Sequence, residues 1–420
     1  MQIKEFKNKI REKVITQYKA LFTQEQVQDS ELKAVLSSII DEIASRERTV
    51  ITEEDKKKII SEMRDEFIGF GPIEHIIKDP SITEIMINGP NKVYIERNGK
   101  KQLSDIHFDD ERQLMALIYR ILAPTRRRVD ESYPYTDVSM DDGSRLNIII
   151  PPLAIDGPTL TIRKFLKELS RTEDFLKLGT IDNRMAQFLT ACIKAKVNML
   201  FSGATGSGKT TTLNMLSSYI SNDERIVTIE DTAELHLAQE HVVRLEARQP
   251  NIEGKGEITI RDLFKNSLRM RPGRIILGEA RGPEALDMLQ AMCSGHRGAL
   301  AVLHASSPQD VIYRLETMVL TSGVPMNLEA VHRQIAAAIN LIIQHEQLPD
   351  GSRKITRLTQ VNGMKDRQVV LEDIFLFDME DVTADGSVKG RFRATGVVPV
   401  FYNLFAKAGI DLSKDLFKKD

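Results

Sequence analysis

The 420-residue sequence has no tryptophan, two cysteines, only 6% aromatic residues and almost no net charge, 58 basic side chains standing against 60 acidic ones. Cys192 and Cys293 lie far apart in apolar helical patterns, which excludes a disulfide framework and a cysteine-rich zinc site; both are expected as buried, reduced thiols. Balanced charge removes any global attraction to nucleic acid or anionic lipid, and so few rings argue against a groove that stacks the bases of a single strand. No nucleic-acid partner is therefore expected. No apolar run approaches the roughly 20 residues that span a bilayer, and charges occupy the N-terminal stretch where a signal peptide is apolar. A cytoplasmic protein is the expectation.

What is present is an ordinary globular mixture, 41% hydrophobic and 28% charged, long enough for two or three domains. Residues 1–68 read as about three helices: Ile3, Phe6, Ile10, Val14, Tyr18 and Leu21, then Leu32, Leu36, Ile39 and Ile43, then Ile59, Met63 and Phe67. Residues 1–22 hold six basic and two acidic side chains, a net of +4. Two readings stand side by side, a solvated basic face on a packed helix and peripheral contact with an anionic membrane surface. Residues 69–165 turn to short strands with one helix: Asn98-Gly99 and Asp142-Gly143 are hairpin signals, and Leu114, Leu117, Ile118, Ile121 and Leu122 form a helical stripe. This α/β module is notable for arginines, Arg126 to Arg128, Arg145 and Arg163. Residues 166–181 read as a linker, and Asp182 as the cap of the helix that opens a domain of alternating strands and helices, 182–345, with a predominantly parallel sheet. A small C-terminal extension, 346–420, reads as strands without assigned chemistry.

The chain is organised around Val197 to Ile220, VNMLFSGATGSGKTTTLNMLSSYI. Gly203, Gly208, Lys209 and Thr210 fill G-x-x-x-x-G-K-[ST], and the loop Gly203, Ala204, Thr205, Gly206, Ser207, Gly208 joins an apolar strand to a helix, as a phosphate cradle requires. Backbone N–H groups would wrap a phosphate, Lys209 would reach its outer oxygens and the Thr210 hydroxyl would hold Mg²⁺, so ATP and Mg²⁺ are the expected ligands. Thr210, Thr211 and Thr212 are poor first-turn helix formers, which suggests that they serve ligands.

In an open parallel sheet, ligands gather beyond the carboxyl ends of strands. Polar residues follow apolar runs at three such places. Ile226 to Ile229 precedes Glu230-Asp231, and Glu230 is the candidate base for the attacking water. Ile275 to Leu277 precedes Gly278-Glu279, where Glu279 would support Mg²⁺ through its water shell. Ala299 to Leu303 runs between His296 and His304, candidate donors to the outer phosphate; structural histidines are the commoner case.

Taken together, SGATGSGKTTTLN, RIVTIEDTAEL, RIILGEARGPEALDMLQAM and SGHRGALAVLHASSP resemble the secretion ATPase superfamily. With GFGPIEHIIKDPSITEIMINGP and RRRVDESYPYTDVSMDDGSRLNIIIPPLAIDGPTLTIRKF, the sequence is most similar to the CpaF/TadA branch that powers Tad (Flp) pili. The resemblance implies a RecA-like domain in a homohexamer, partnered by inner-membrane pilus platform proteins. It also implies Lys209 and Thr210 in Walker A, Glu230 as catalytic acid of the Asp box, Glu279 as the Walker B acid, His296 and His304 as the His box, and Arg145 and Arg163 as arginines approaching the phosphates. Gly273 stands where that pattern usually has Asp, Ser294 replaces Thr and Ser306 replaces Asn. A type IV secretion or retraction motor with protein or DNA as cargo, a nucleic-acid-stimulated RecA-like motor, and a non-hydrolysing nucleotide-gated scaffold are the alternatives.

Overall fold

The structure, a computed structural model, describes residues 3–18, 28–97, 99–125, 127–140, 142–164, 171–248, 250, 255–383 and 386–419. Leu21, Asn98, Arg126 and the start of the expected linker, 166–170, lie outside them. The chain divides into two compact units, Met1–Phe165 and Leu166–Asp420.

The first unit begins with α1 (Ile3–Gln17), α2 (Asp29–Glu47) and α3 (Glu53–Ile68), which bury Phe6, Ile10, Val14, Leu32, Leu36, Ile39 and Met63 against one another. The basic residues of α1 are spent inside this bundle: Lys7 pairs with Glu62, Lys9 with Glu47, Arg11 with Glu66 and Lys13 with Glu42. Four of the six cations counted in residues 1–22 thus face carboxylates of α2 and α3, as on a helix packed against its neighbours.

After α4 (Glu74–Lys78) come β1 (Ile82–Asn88), β2 (Val93–Arg97), β3 (Lys100–Leu103), α5 (Glu111–Leu122), β4 (Tyr135–Ser139), β5 (Arg145–Ile149) and β6 (Thr159–Arg163). The strands form an antiparallel sheet in the order β3-β2-β1-β6-β5-β4. Both hairpin signals flank real hairpins, Arg97 pairing with Lys100 and Ser139 with Arg145. Alternation sends Ile85, Ile87, Leu146, Ile148, Leu160 and Ile162 to one face, where α5 covers them with Leu114, Leu117 and Ile118.

The second unit runs α6 (Thr172–Lys177), α7 (Asn183–Lys194), β7 (Met199–Gly203), α8 (Lys209–Ser217), β8 (Ile226–Glu230), β9 (Val242–Glu246), α9 (Ile260–Ser267) and β10 (Arg274–Leu277). It continues through α10 (Glu284–Cys293), β11 (Leu300–Leu303), α11 (Pro308–Leu320), α12 (Leu328–Ala338), β12 (Leu341–Gln347), β13 (Arg353–Lys365), β14 (Gln368–Val382), β15 (Val388–Ala394) and α13 (Asn403–Lys407). The described strands make one sheet, β15-β14-β13-β12-β7-β11-β10-β8-β9. From β12 to β9 neighbours are parallel; β13 to β15 add on antiparallel. Residues of one strand alternate between two cores: Met199 and Phe201 face α7 and α8, while Leu200 faces the side of α10, α11 and α12. Burial on both faces is why these strands read as unbroken apolar runs.

Two expectations change here. Within the stretch read as a linker, α6 forms and Phe175 is buried in the core. Cys293, at the last turn of α10, is exposed, and only Cys192 is buried; a helical stripe says which residues are apolar neighbours, and the final turn has left the core. Gly273 precedes β10 at the amino edge of the sheet, where its N–H donates to the Arg225 carbonyl at 2.8 Å and a Cβ would stand 3.2 Å from the Arg225 nitrogen. Its departure from the usual Asp therefore concerns strand pairing, far from the loop after β7.

The stretch read as a C-terminal extension continues this sheet and closes its core. Phe188 of α7 sits 5.9 Å from the Phe375 ring, 6.1 Å from Phe405 and 5.4 Å from Phe417. The sheet's two edges, β9 and β15, carry Arg244 and Glu246 on one side and Lys389, Arg391 and Arg393 on the other. Because Phe417 fills a space enclosed by three rings, Phe417→Ala is expected to destabilise the second unit by about 3–5 kcal/mol, read as a lower urea midpoint. Exposed Lys418→Ala should stay within about 0.5 kcal/mol of the parent, and equal midpoints for both would show the ring cluster to be dispensable.

Candidate active site

Strand β7 ends at Gly203 between β11 and β12, and the loop that follows delivers the chain to α8. Helices α7, α9, α11 and α12 are capped by the side chains of Asp182, Thr259, Ser307 and Asn327. Helix α8 is not: its cap is Gly208, at φ 96°, with no side-chain acceptor for the first-turn amides. Only glycine holds that φ cheaply, and a first turn without a side-chain cap, at a positive dipole end, suits an anion. Lys209 is buried, and its Nζ donates to the carbonyls of Gly203 (3.0 Å) and Ala204 (2.7 Å). A phosphate entering the loop would offer this ammonium better acceptors than two neutral carbonyls.

At the ends of the neighbouring strands two carboxylates take opposite characters. Glu230 closes β8, buried; its Oε1 accepts from the amides of Glu234 (2.8 Å) and Leu235 (2.9 Å), while Oε2 is buried without a hydrogen-bond partner. Burial pushes its pKa up to about 7 against the pull of those two backbone bonds. Glu279 follows β10. Burial would raise it too, but hydrogen bonds from His304 (3.1 Å) and Arg281 (2.6 Å) hold it at about 2. The residue between β10 and Glu279 must be glycine because the Glu230 side chain lies against it: a Cβ on Gly278 would stand 2.7 Å from Glu230 Cγ. The same contact places the two acids side by side.

His304 ties Glu279 to the loop. Its Nε2 faces Glu279 Oε1 and its Nδ1 faces Lys209 Nζ at 3.5 Å, an arrangement satisfied by the tautomer with hydrogen on Nε2 and a lone pair on Nδ1. Beside it a polar cavity of about 520 Å³ opens between the loop (Gly203, Ala204, Thr205), His304 to Ser306, and Asp310, Tyr313, Arg314 and Thr317 of α11.

Within the second unit, not every expected residue arrives here. Thr210 and Thr211, half-buried, occupy the first turn of α8, but Thr212 is buried beneath it, bonded through Oγ1 to His345 Nε2 at 3.0 Å, so its hydroxyl serves the fold and not a ligand. His296 lies in the loop before β11, at the amino edge of the sheet; two residues on, the Gly298 amide bonds to Asn198, which precedes β7. Parallel strands put that edge opposite the phosphate loop, so His296 does not join His304. Arg145 and Arg163 belong to the first unit, paired across β5 and β6. Cys192 and Cys293 take no part.

Three residues were missed. His345, on β12 beside Gly203, donates from Nδ1 to the Ser202 carbonyl (3.1 Å) and takes the Thr212 hydroxyl on Nε2. Burial first, then the Lys209 charge, pushes its pKa down to about 4, so it supports the loop as a neutral ring. Gln344 donates to the Ala305 carbonyl at 3.3 Å. Arg353, on β13, donates from Nε to the Gly206 carbonyl at 2.7 Å. Gln344 and His345 follow the apolar run Leu341 to Ile343, the same signal that marked Glu230 and Glu279; nothing local marked Arg353.

The donor set fits a nucleotide with a divalent cation: uncapped amides, a buried ammonium, a first-turn hydroxyl at Thr210 and an ionised carboxylate at Glu279. Among the described residues no group of three or more His, Cys, Asp or Glu side chains could hold a metal alone, so such a cation would also draw on phosphate oxygens and water.

Known proteins resemble this sequence over most of its length. A protein of Mycobacterium tuberculosis named for conjugal transfer is 32% identical over 311 residues, spanning 73% of this chain and 88% of the relative. VirB11 of Agrobacterium fabrum is 33% identical over 304 residues, spanning 65% of this chain and 87% of its own. Among solved structures, the VirB11 ATPase of the Brucella suis type IV secretion system, in complex with sulphate, is 27% identical over 69% of this chain and 92% of that one, with a TM-score of 0.38. The family model described as type II/IV secretion system protein matches residues 66–372, and the chain belongs to that family.

Proposed function

We propose that this chain hydrolyses ATP and, as a homohexamer at the inner face of the cytoplasmic membrane, drives assembly of a Tad-type pilus through a membrane platform, in the manner of the CpaF/TadA branch. The observation that carries the ATPase reading is Glu230, a buried carboxyl poised near neutrality with one oxygen unclaimed, packed against the residue before Glu279. In hydrolysis, water oxygen bonds to the γ-phosphorus as the bond to the β,γ-bridging oxygen breaks, and Glu230 Oε2 takes the water proton. Lys209 and the first-turn amides of α8 bind the outer phosphates, and His304 holds Glu279 and Lys209 in register. Thr210 and, through water, Glu279 would hold Mg²⁺, which would supply positive charge against the phosphates. Arg145 and Arg163 on the first unit would bring positive charge to the phosphates on closure, coupling turnover to movement. The relatives named for conjugal transfer favour a second reading, the same motor in a type IV secretion system with protein or DNA as cargo. A pull-down with polytopic membrane partners from the native host, with and without ATP, separates the two.

Phosphate release and nucleotide binding test the site. Lys209→Ala is expected to lose ATP binding, whereas Glu230→Gln keeps it and turns over at least about a hundredfold more slowly. Full turnover in Glu230→Gln would remove the base.

The pH profile follows from the two carboxylates. Glu230 must be ionised to accept a proton, so with its pKa near 7 in the free chain kcat/KM should rise with pH, reach half its maximum near 7 and level off above. Glu279, near 2, stays ionised throughout and contributes no second limb. A profile flat from pH 5.5 to 8.5 would exclude Glu230 as base.

Arg145→Ala is expected to lower turnover more than ATP affinity; unchanged values of both would take Arg145 out of the reaction.

A further inference from the structure

We propose that Arg353 is a positioning residue that sets the anion-binding form of the phosphate loop by fixing one peptide plane. The proposal rests on the nucleotide reading above for its consequence, but its geometry stands in the chain itself. Arg353 begins β13, opposite Gln347 in the β12–β13 hairpin, and β12 lies along β7 with His345 beside Gly203. The hairpin therefore ends over the loop. The Arg353 stem runs along Gly208, whose added Cβ would meet Arg353 Cδ at 3.6 Å, and Nε reaches the Gly206 carbonyl at 2.7 Å.

In a trans peptide the carbonyl of one residue and the N–H of the next point in opposite directions. Holding the Gly206 oxygen toward Arg353 therefore turns the Ser207 N–H into the loop, where it donates to the Ala204 carbonyl at 3.3 Å until a phosphate offers a better acceptor. Gly206 has φ 79° and no side chain, so its own backbone puts no bar on turning the peptide plane that follows it. Flipped, the plane would present a carbonyl oxygen to an incoming phosphate in place of a donor. The charge-assisted hydrogen bond from the half-buried Arg353 guanidinium is the stronger of two restraints that oppose this, the neutral Ser207–Ala204 bond being the other. The loop is thus assembled from two distant parts of the chain: its own glycines supply the freedom, and Arg353 removes it.

The test uses the full-length chain with Arg353→Gln and Arg353→Lys, and Arg357→Ala as a control on the same strand whose guanidinium pairs with Asp373. Hydrogen exchange without nucleotide should show faster exchange of the Ser207 amide in Arg353→Gln, with partial protection restored by lysine and none lost in the control. Titration with a fluorescent ATP and ADP analogue should show weaker binding of both by ~10- to 100-fold in Arg353→Gln, recovery toward the parent in Arg353→Lys, and a turnover number at saturating ATP within about threefold of the parent. Unchanged Ser207 exchange in Arg353→Gln overturns the proposal. So does weakened binding that comes with a matching loss of thermal stability and no recovery with lysine, which marks a merely structural role. If the parent chain binds neither analogue while Arg353→Gln still loosens Ser207, the nucleotide reading fails and the positioning role stands.

Discussion

Everything in the second unit hangs on the pairing of β12 with β7, from Leu341 beside Met199 to His345 beside Gly203. That ladder fixes the strand that carries the phosphate loop, and the side chains at its end do the rest. His345 spans from the Ser202 carbonyl to Thr212, locking the strand before the loop to the helix after it; Gln344 reaches the turn that carries His304. A loop rich in glycine costs entropy to hold in one form, and here the cost is met by buried hydrogen bonds that water cannot compete for.

Around this frame the electrostatics are divided between two acids. Glu230 and Glu279 stand at the ends of adjacent strands, the first buried and the second half-buried, yet one is held near 7 and the other near 2. The difference is partners: backbone amides on a single oxygen for Glu230, a histidine and a guanidinium for Glu279. Placing neighbouring titratable groups in unlike surroundings is how one site obtains both a proton acceptor and a permanent anion.

Most of this was legible in the sequence where the signal was local. The phosphate loop, both hairpins, the cap at Asp182 and the acids at strand ends each declare themselves within a few residues. What the sequence hid depends on separation along the chain or on direction in space. His345 and Arg353 meet a loop more than a hundred residues away. His296 and His304 flank the same strand, β11, and so lie at opposite edges of the sheet; proximity in sequence misled. The basic residues of α1 looked available because their acidic partners sit on α2 and α3. Thr212 looked like a ligand because only the structure shows which side of a helix faces a buried histidine.

The edges of the long sheet have a consequence for assembly. β9 and β15 end the sheet among the described strands; on β15 the Val388 N–H is already taken by Asp350 and the Phe392 carbonyl by Arg184, and both strands carry charged side chains along that margin. Another strand laid against either would have to strip water from those ions, a deterrent against edge-to-edge stacking and fibre growth. Copies of this molecule would therefore meet through helices and loops, leaving the two ladders terminated and each sheet private to its own subunit.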